Sequence, residues 1–327
     1  MARKSKYAMK VEPAEMTLTF PIGSIGPSNT MKTIDLSQCA SIVNRRFYRQ
    51  GLNWAVSGFT LHAVAGSGSV GITRLPQGWV TAQSWEKAMR HWLKQQNEAI
   101  DEAGMQSAVA RYRDFKVHMD KTHVDGLGFD DNFIPYIRRN DGLGWEEYLK
   151  GEWDKSIVVV PNANGVVGNT QEYTVHMVGD DDAAPGQSKG IIKAYQGSRG
   201  VPQSPDPSTP PNVEDNLYTQ MFDVGANNEE IVDNAVDRND NLPYPQMEYP
   251  GAEVNANGLV FHDNLTISAT TVSGRTSCGG ATFPCGLIRL RIDPGLSAVN
   301  EQPIAWLQVH LVPGSHRGYL AESMVEM

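Results

Sequence analysis

The chain has 327 residues, 40% of them hydrophobic and 20% charged, the make-up of a globular protein with one large domain or two smaller ones. It holds no apolar run near the length of about eighteen residues that a membrane helix needs, so no membrane partner is expected. A formal net charge of −9 excludes a protein that coats nucleic acid with its whole surface.

The charge is unevenly spread. A short basic arm, read over 1–12, carries Arg3, Lys4, Lys6 and Lys10 in MARKSKYAMK without an acidic residue; set aside those four, and 24 basic residues face 37 acidic ones, a body of −13. No apolar stretch with a small-residue cleavage site follows the arm, so export is not expected. Such an arm reads as a solvated terminus or as a phosphate contact.

Residues 13–327 read as one all-β body with helical insertions. In EMTLTFPI, Met16, Leu18 and Phe20 alternate with Thr17 and Thr19, the period of a half-buried strand. NRRFYRQ interleaves Arg45, Arg46 and Arg49 with Phe47 and Tyr48, which suits single-stranded nucleic acid or a strand with arginines on its solvent face. NWAVSGFTLHAVA alternates next, and GSGSVG from Gly66 to Gly71 reads as a hairpin turn, because it lacks the lysine of a phosphate loop. SWEKAMRHWLKQQNEAI, with Ser84 as cap and Trp85, Met89, Trp92 and Leu93 at helical spacing, predicts a helical insertion near 82–103.

DFKVHMD, SIVVVP and EYTVHMV predict further strands, SIVVVP being apolar enough to be covered on both sides. HMDKTHVDGLGFDDN crowds His118, Asp120, His123, Asp125, Asp130 and Asp131 into a strand end and a glycine loop, which suits a solvated loop or a cation. Asp180, Asp181 and Asp182 repel one another and are either exposed or shared with calcium. SKGIIKAYQ predicts a short helix around Ile191 and Ile192. A proline-rich, acidic loop region near 197–255 follows, with Pro202, Pro205, Pro207, Pro210 and Pro211 forbidding both helix and central strand. IRLRI and IAWLQVHLV end the chain as strands.

No nucleophile elbow, zinc-protease motif, Walker loop or paired C-x-x-C occurs. Cys39, Cys278 and Cys285 are expected to be reduced, although the turn-like GGATFP leaves a Cys278–Cys285 bridge open. No cofactor is implied. Two cellular alternatives stay in view: a β-sandwich binding carbohydrate or protein through Trp79, Trp145 and Trp153, and a hydrolase using Glu146, Glu147 and Glu152.

MFDVGANNEEIVDNAVDRNDNLPYPQMEYPGAE and FPCGLIRL, with LPQGWVTAQSWEKAMRHWLK, DFKVHMDKTH and EYTVHMVGDD, resemble capsid proteins encoded by small circular Rep-encoding single-stranded DNA viruses of the unclassified environmental and marine kind. The resemblance runs in patches from about Leu75 to Leu290. It implies a single jelly roll, an eight-stranded antiparallel sandwich, whose many identical copies form an icosahedral shell around the genome. It implies no enzyme, a virion assembled inside the host cell with the nucleus as one compartment, and a host receptor. Asp233, Asp237, Asp240, Pro243, Tyr244 and Tyr249 would then lie in an outer or interfacial loop. The genome would meet Arg3, Lys4, Lys6, Lys10, Arg45, Arg46 and Arg49, fewer cations than the long arginine-rich arm of many such proteins.

Overall fold

Alternation of period two becomes strand where one face can be buried, and the long alternating runs follow that rule. The structure, a computed structural model, describes residues 12–22, 30–109, 113–126, 128–138, 144–161, 168–181, 188–199, 249, 258–296 and 304–327. Arg3, Lys4, Lys6, Lys10, Asp182, Asp233, Asp237, Asp240, Pro243 and Tyr244 lie outside them. Where the sequence predicts one body over 13–327, the chain divides into two compact units: residues 1–74, 132–153 and 261–327, and residues 75–131 and 154–260.

The first unit is a pair of sheets. Numbered along the whole chain, its strands are β1 (Thr17–Ile22), β2 (Thr30–Asp35), β3 (Leu52–Ala63), β4 (Gly68–Arg74), β11 (Val260–Ile267), β12 (Arg275–Phe283), β13 (Leu287–Ile292) and β14 (Ala305–Leu311). One sheet has the order β1-β14-β3-β12, the other β11-β4-β13-β2. Counted in chain order, the first strand pairs with the eighth, the second with the seventh, the third with the sixth and the fourth with the fifth. The inward row includes Leu18, Phe20, Phe59, Leu61, Val70, Ile72, Leu290, Ile292, Leu307 and Val309, all shut off from water. Each such side chain contributes about 1.5–3 kcal/mol by leaving solvent.

Short elements complete this unit. β6 (Tyr136–Arg138) pairs with β7 (Trp145–Glu147), β15 (Pro313–Gly314) with β16 (Gly318–Tyr319), and β17 (Ala321–Ser323) with the start of β3. One helix was not expected: α1 (Leu36–Asn44) follows β2 directly, with Asp35 as its N-cap and Leu36, Cys39, Ala40 and Ile42 buried. Near it Tyr48, Trp54 and Tyr319 pack ring on ring at 5.3–5.7 Å. All three cysteines are free, so the Cys278–Cys285 bridge does not form.

The second unit has a mixed sheet, where an antiparallel one was expected. β9 (Thr170–Val178) runs parallel to β10 (Ser188–Gly190) and β5 (His118–Asp120) and antiparallel to β8 (Ile157–Pro161). α2 (Trp79–Glu102) begins five residues before the predicted Ser84 cap; Ser84 is buried instead and its hydroxyl donates to the Thr81 carbonyl. α2 buries Trp85, Ala88 and Trp92, and its Trp92 indole and Gln95 amide bond the backbone of β8 at Ile157 and Val159. A helix side chain thus covers polar groups that a strand edge would otherwise expose. β8 is covered on one side only, since Val158 and Val160 are buried while Ile157 is exposed. α4 (Ile191–Arg199) packs on β9 and α2, and the five-residue α3 (Lys121–Asp125) follows β5.

Candidate functional site

The arginines of NRRFYRQ do not lie on a strand. α1 ends at Asn44, and Arg45 takes a left-handed conformation (φ 54°) whose amide closes on the Ser41 carbonyl. That turn throws the chain outward and buries Tyr48 beneath it, while Arg45 and Arg49 stay exposed. The structure adds a fourth cation that spacing could not reveal: Arg317, also left-handed (φ 50°), donates to the Phe47 carbonyl, and its own carbonyl accepts from the Tyr48 hydroxyl at 2.9 Å. Left-handed backbone costs about 1–2 kcal/mol for a non-glycine residue. Glu12 answers one of the four charges, lying 3.5 Å from Arg46. Arg49 sits 5.9 Å over the Phe47 ring, which packs 6.3 Å from Trp153. Guanidinium groups around half-exposed aromatic rings suit phosphate contact with base stacking.

Beneath this corner lies a buried carboxylate. Asp35 Oδ1 accepts from the Ser37 and Gln38 amides at 2.9 and 3.2 Å, the N-cap of α1, and Oδ2 accepts from Gln50 Nε2 and Trp153 Nε1, both at 3.0 Å. Burial outweighs these four donors and pushes its pKa up to about 6. Burial, with the Asp35 charge beside it, also lifts the Cys39 thiol well above its usual range, which disfavours its thiolate.

Several of the predicted metal residues bond elsewhere. Asp180 pairs with Lys193 at 3.2 Å; Asp181 pairs with Lys189 at 3.5 Å and accepts from the Gly190 amide. Asp120 caps α3 by accepting from the His123 amide at 2.8 Å. Among the described residues no three His, Cys, Asp or Glu side chains are placed to hold a metal ion. Tyr249, predicted at a subunit contact, is 1% exposed and stacks within its own chain on Tyr195, with Trp79 edge-on.

The hydrolase residues do not converge. Glu146 and Glu147 are neighbours on β7 and so point to opposite faces, and Glu147 accepts from the Tyr136 hydroxyl at 2.9 Å, while Glu152 is exposed. Trp153 is committed to Asp35, Trp79 to two tyrosines. A groove of about 450 Å³ does lie on the outer face of the β1–β14–β3 sheet, lined by Thr19, His62, Trp306, Gln308, Tyr136 and Tyr148 among others. There His62 stacks flat on Trp306 at 5.2 Å and bonds Gln308 at 3.1 Å.

Scattered singly in sequence, three histidines meet in the second unit. His118 of β5 stands in register with His176 of β9, and His123 of α3 meets His118 edge-on at 5.0 Å. All three are buried. Comparison with protein-family models, curated proteins and solved structures finds no match to this chain. No helix among the described residues is long and apolar enough to cross a membrane.

Proposed function

We propose that the chain is the shell subunit of a small virus with a circular single-stranded DNA genome, and that its first unit is a jelly roll. The observation that carries this is the strand pairing, first with eighth through fourth with fifth. A jelly roll is one long hairpin wound into two facing sheets, and a pairing that counts inward from both ends supports that plan. The fold alone does not name a function, because lectins and cupins share it. Among the described residues, apolar side chains fill the space between the sheets and line no polar chamber of the kind a cupin uses. The corner of Arg45, Arg46, Arg49 and Arg317 supports a polyanionic partner on a protein of net charge −9. The capsid-like segments of the sequence support the same reading.

Sedimentation and negative-stain microscopy of the purified chain, at low and high salt, test it. Regular closed shells are expected, and an Arg45→Ala, Arg49→Ala, Arg317→Ala variant should still form them while retaining several-fold less DNA. A monomer under every condition would overturn the reading. A second reading, a carbohydrate-binding sandwich, is favoured by the aromatic groove around Trp306; it requires a monomer or dimer that binds a glycan array and loses binding on Trp306→Ala.

A further inference from the structure

Of the three buried histidines, His118 and His176 are packed too tightly to accept charge readily. The His118 ring lies flat on Phe129 at 4.4 Å and 12°, and its Nδ1 meets the Val175 carbonyl at 3.3 Å. Its Nε2 faces Gly128, where even a Cβ would come within 2.7 Å, so an acceptor side chain cannot enter on that side. His123 Nδ1 accepts from the Met119 amide at 3.2 Å, a bond that requires the nitrogen to be bare. His176 is fully buried, and neither of its ring nitrogens has a hydrogen-bond partner of good geometry among the described residues. Thr174 Oγ1 and Ser188 Oγ, register partners on β9 and β10, are buried and unpartnered beside it. A neutral imidazole tolerates such a site at a cost; an imidazolium there finds only the backbone at Gly179 and Asp180, too poorly aligned to bond the neutral ring, and burial outweighs their pull toward the charged form.

We propose that this cluster is an acid-sensitive latch: neutral, its rings hold β5, α3 and the Gly128–Asp131 turn against β9, and protonated, they release that edge of the second unit. The surrounding charges do not rescue the protonated form. Asp120 on β5 is bound to the His123 amide, and Asp181 and Asp180 after β9 are already paired with Lys189 of β10 and Lys193 of α4. Lys155, ahead of β8, and His123 act against a charge on His118. Lys121 and Asp125 of α3, Asp130 and Asp131 of the turn, Glu172 and Tyr173 of β9 and Tyr195 of α4 are further ionisable groups on the elements packed there. Burial lowers His176 and takes His118 down to about 3, although Asp181 and Asp120 favour the charged form of His176. The latch therefore weakens from the unfolded histidine value of 6.5 downward.

Hydrogen exchange on the full chain, corrected for intrinsic rates, tests this without reference to shell formation. Between about pH 7.5 and about pH 5, amides of residues 118–125 and 174–178 should open about 30-fold more often, the factor one such histidine supplies, while residues 54–61 and 287–292 should not change. His176→Leu, which replaces unpartnered nitrogens by carbon of similar bulk, should leave exchange at neutral pH unaltered and reduce the acid response several-fold. Equal exchange at both pH values, an equal acid response in the two units, or a response unaffected by His176→Leu would each overturn the latch.

Discussion

Ser37 Oγ accepts the indole hydrogen of Trp54 at 3.0 Å, and both side chains are closed to water. Ser37→Ala would leave that N–H without a partner in a space too apolar to supply one. A loss of about 1–3 kcal/mol is expected, read as a lower urea midpoint with an unchanged slope. Residues of this kind are where sequence reasoning has least purchase. Asp35 receives bonds from residues 2, 3, 15 and 118 positions away. Only the first two, the helix cap, follow a local rule; Trp153 reads instead as a free aromatic until its indole is placed on the carboxylate. Arg317 was likewise unreadable as a partner of Arg45 and Arg49, because the turn that brings it there depends on two left-handed residues far apart in the chain.

At the scale of elements, alternation makes β1, β3, β13 and β14 legible in the sequence, whereas the glycine-rich GSGSVG and GGATFP read as turns although β4 and β12 run through most of them. α1 is hidden in the sequence because it follows a strand without a break, and in the run after it Arg45, Arg46 and Arg49 flank Phe47 and Tyr48 in a way that suits a strand as well as a turn. The second unit's sheet was misjudged for another reason: β9 is buried on both faces from Tyr173 to Val178, so alternation says nothing of direction or partners. The histidine cluster was hidden by the same fact, since only the β5–β9 pairing sets His118 beside His176. Between β3 and β12, Gly280 lies so close to the facing strand that a Cβ there would come within 1.8 Å of the Val56 carbonyl oxygen. Gly280→Ala must push the two strands apart. A cost of about 3 kcal/mol is expected, measured by equilibrium unfolding, with faster exchange of the β12 amides.

At the scale of the molecule, the two units carry opposite responses to acid. In the second, burial holds His91, His118 and His176 below 6.5, and all three lose stability as the pH falls through that value. In the first, His310 and His316 do the same, but Asp35 titrates near 6 against 3.8 when unfolded, so between those values the folded state binds the proton more tightly and gains. Calorimetry from about pH 7 to about pH 5 should therefore lower the transition of the second unit and leave that of the first nearly unmoved. Asp35→Asn removes the compensating gain, and the first unit should then fall too. Parallel shifts in the wild-type chain would contradict the assignment.

The inward-counting pairing also sets a timetable. β1 leaves the ribosome long before its neighbour β14; Thr17 contacts His310, 293 residues later. Most of the second unit's sequence emerges between them, so it can fold while β1 still waits, its amides open to any stray strand. The first sheet closes only once β14 has emerged, and a chain interrupted before β14 is left with β1 unpartnered and β3 bare along one side. Emergence of β14 is thereby itself the signal that the first unit is fit to close.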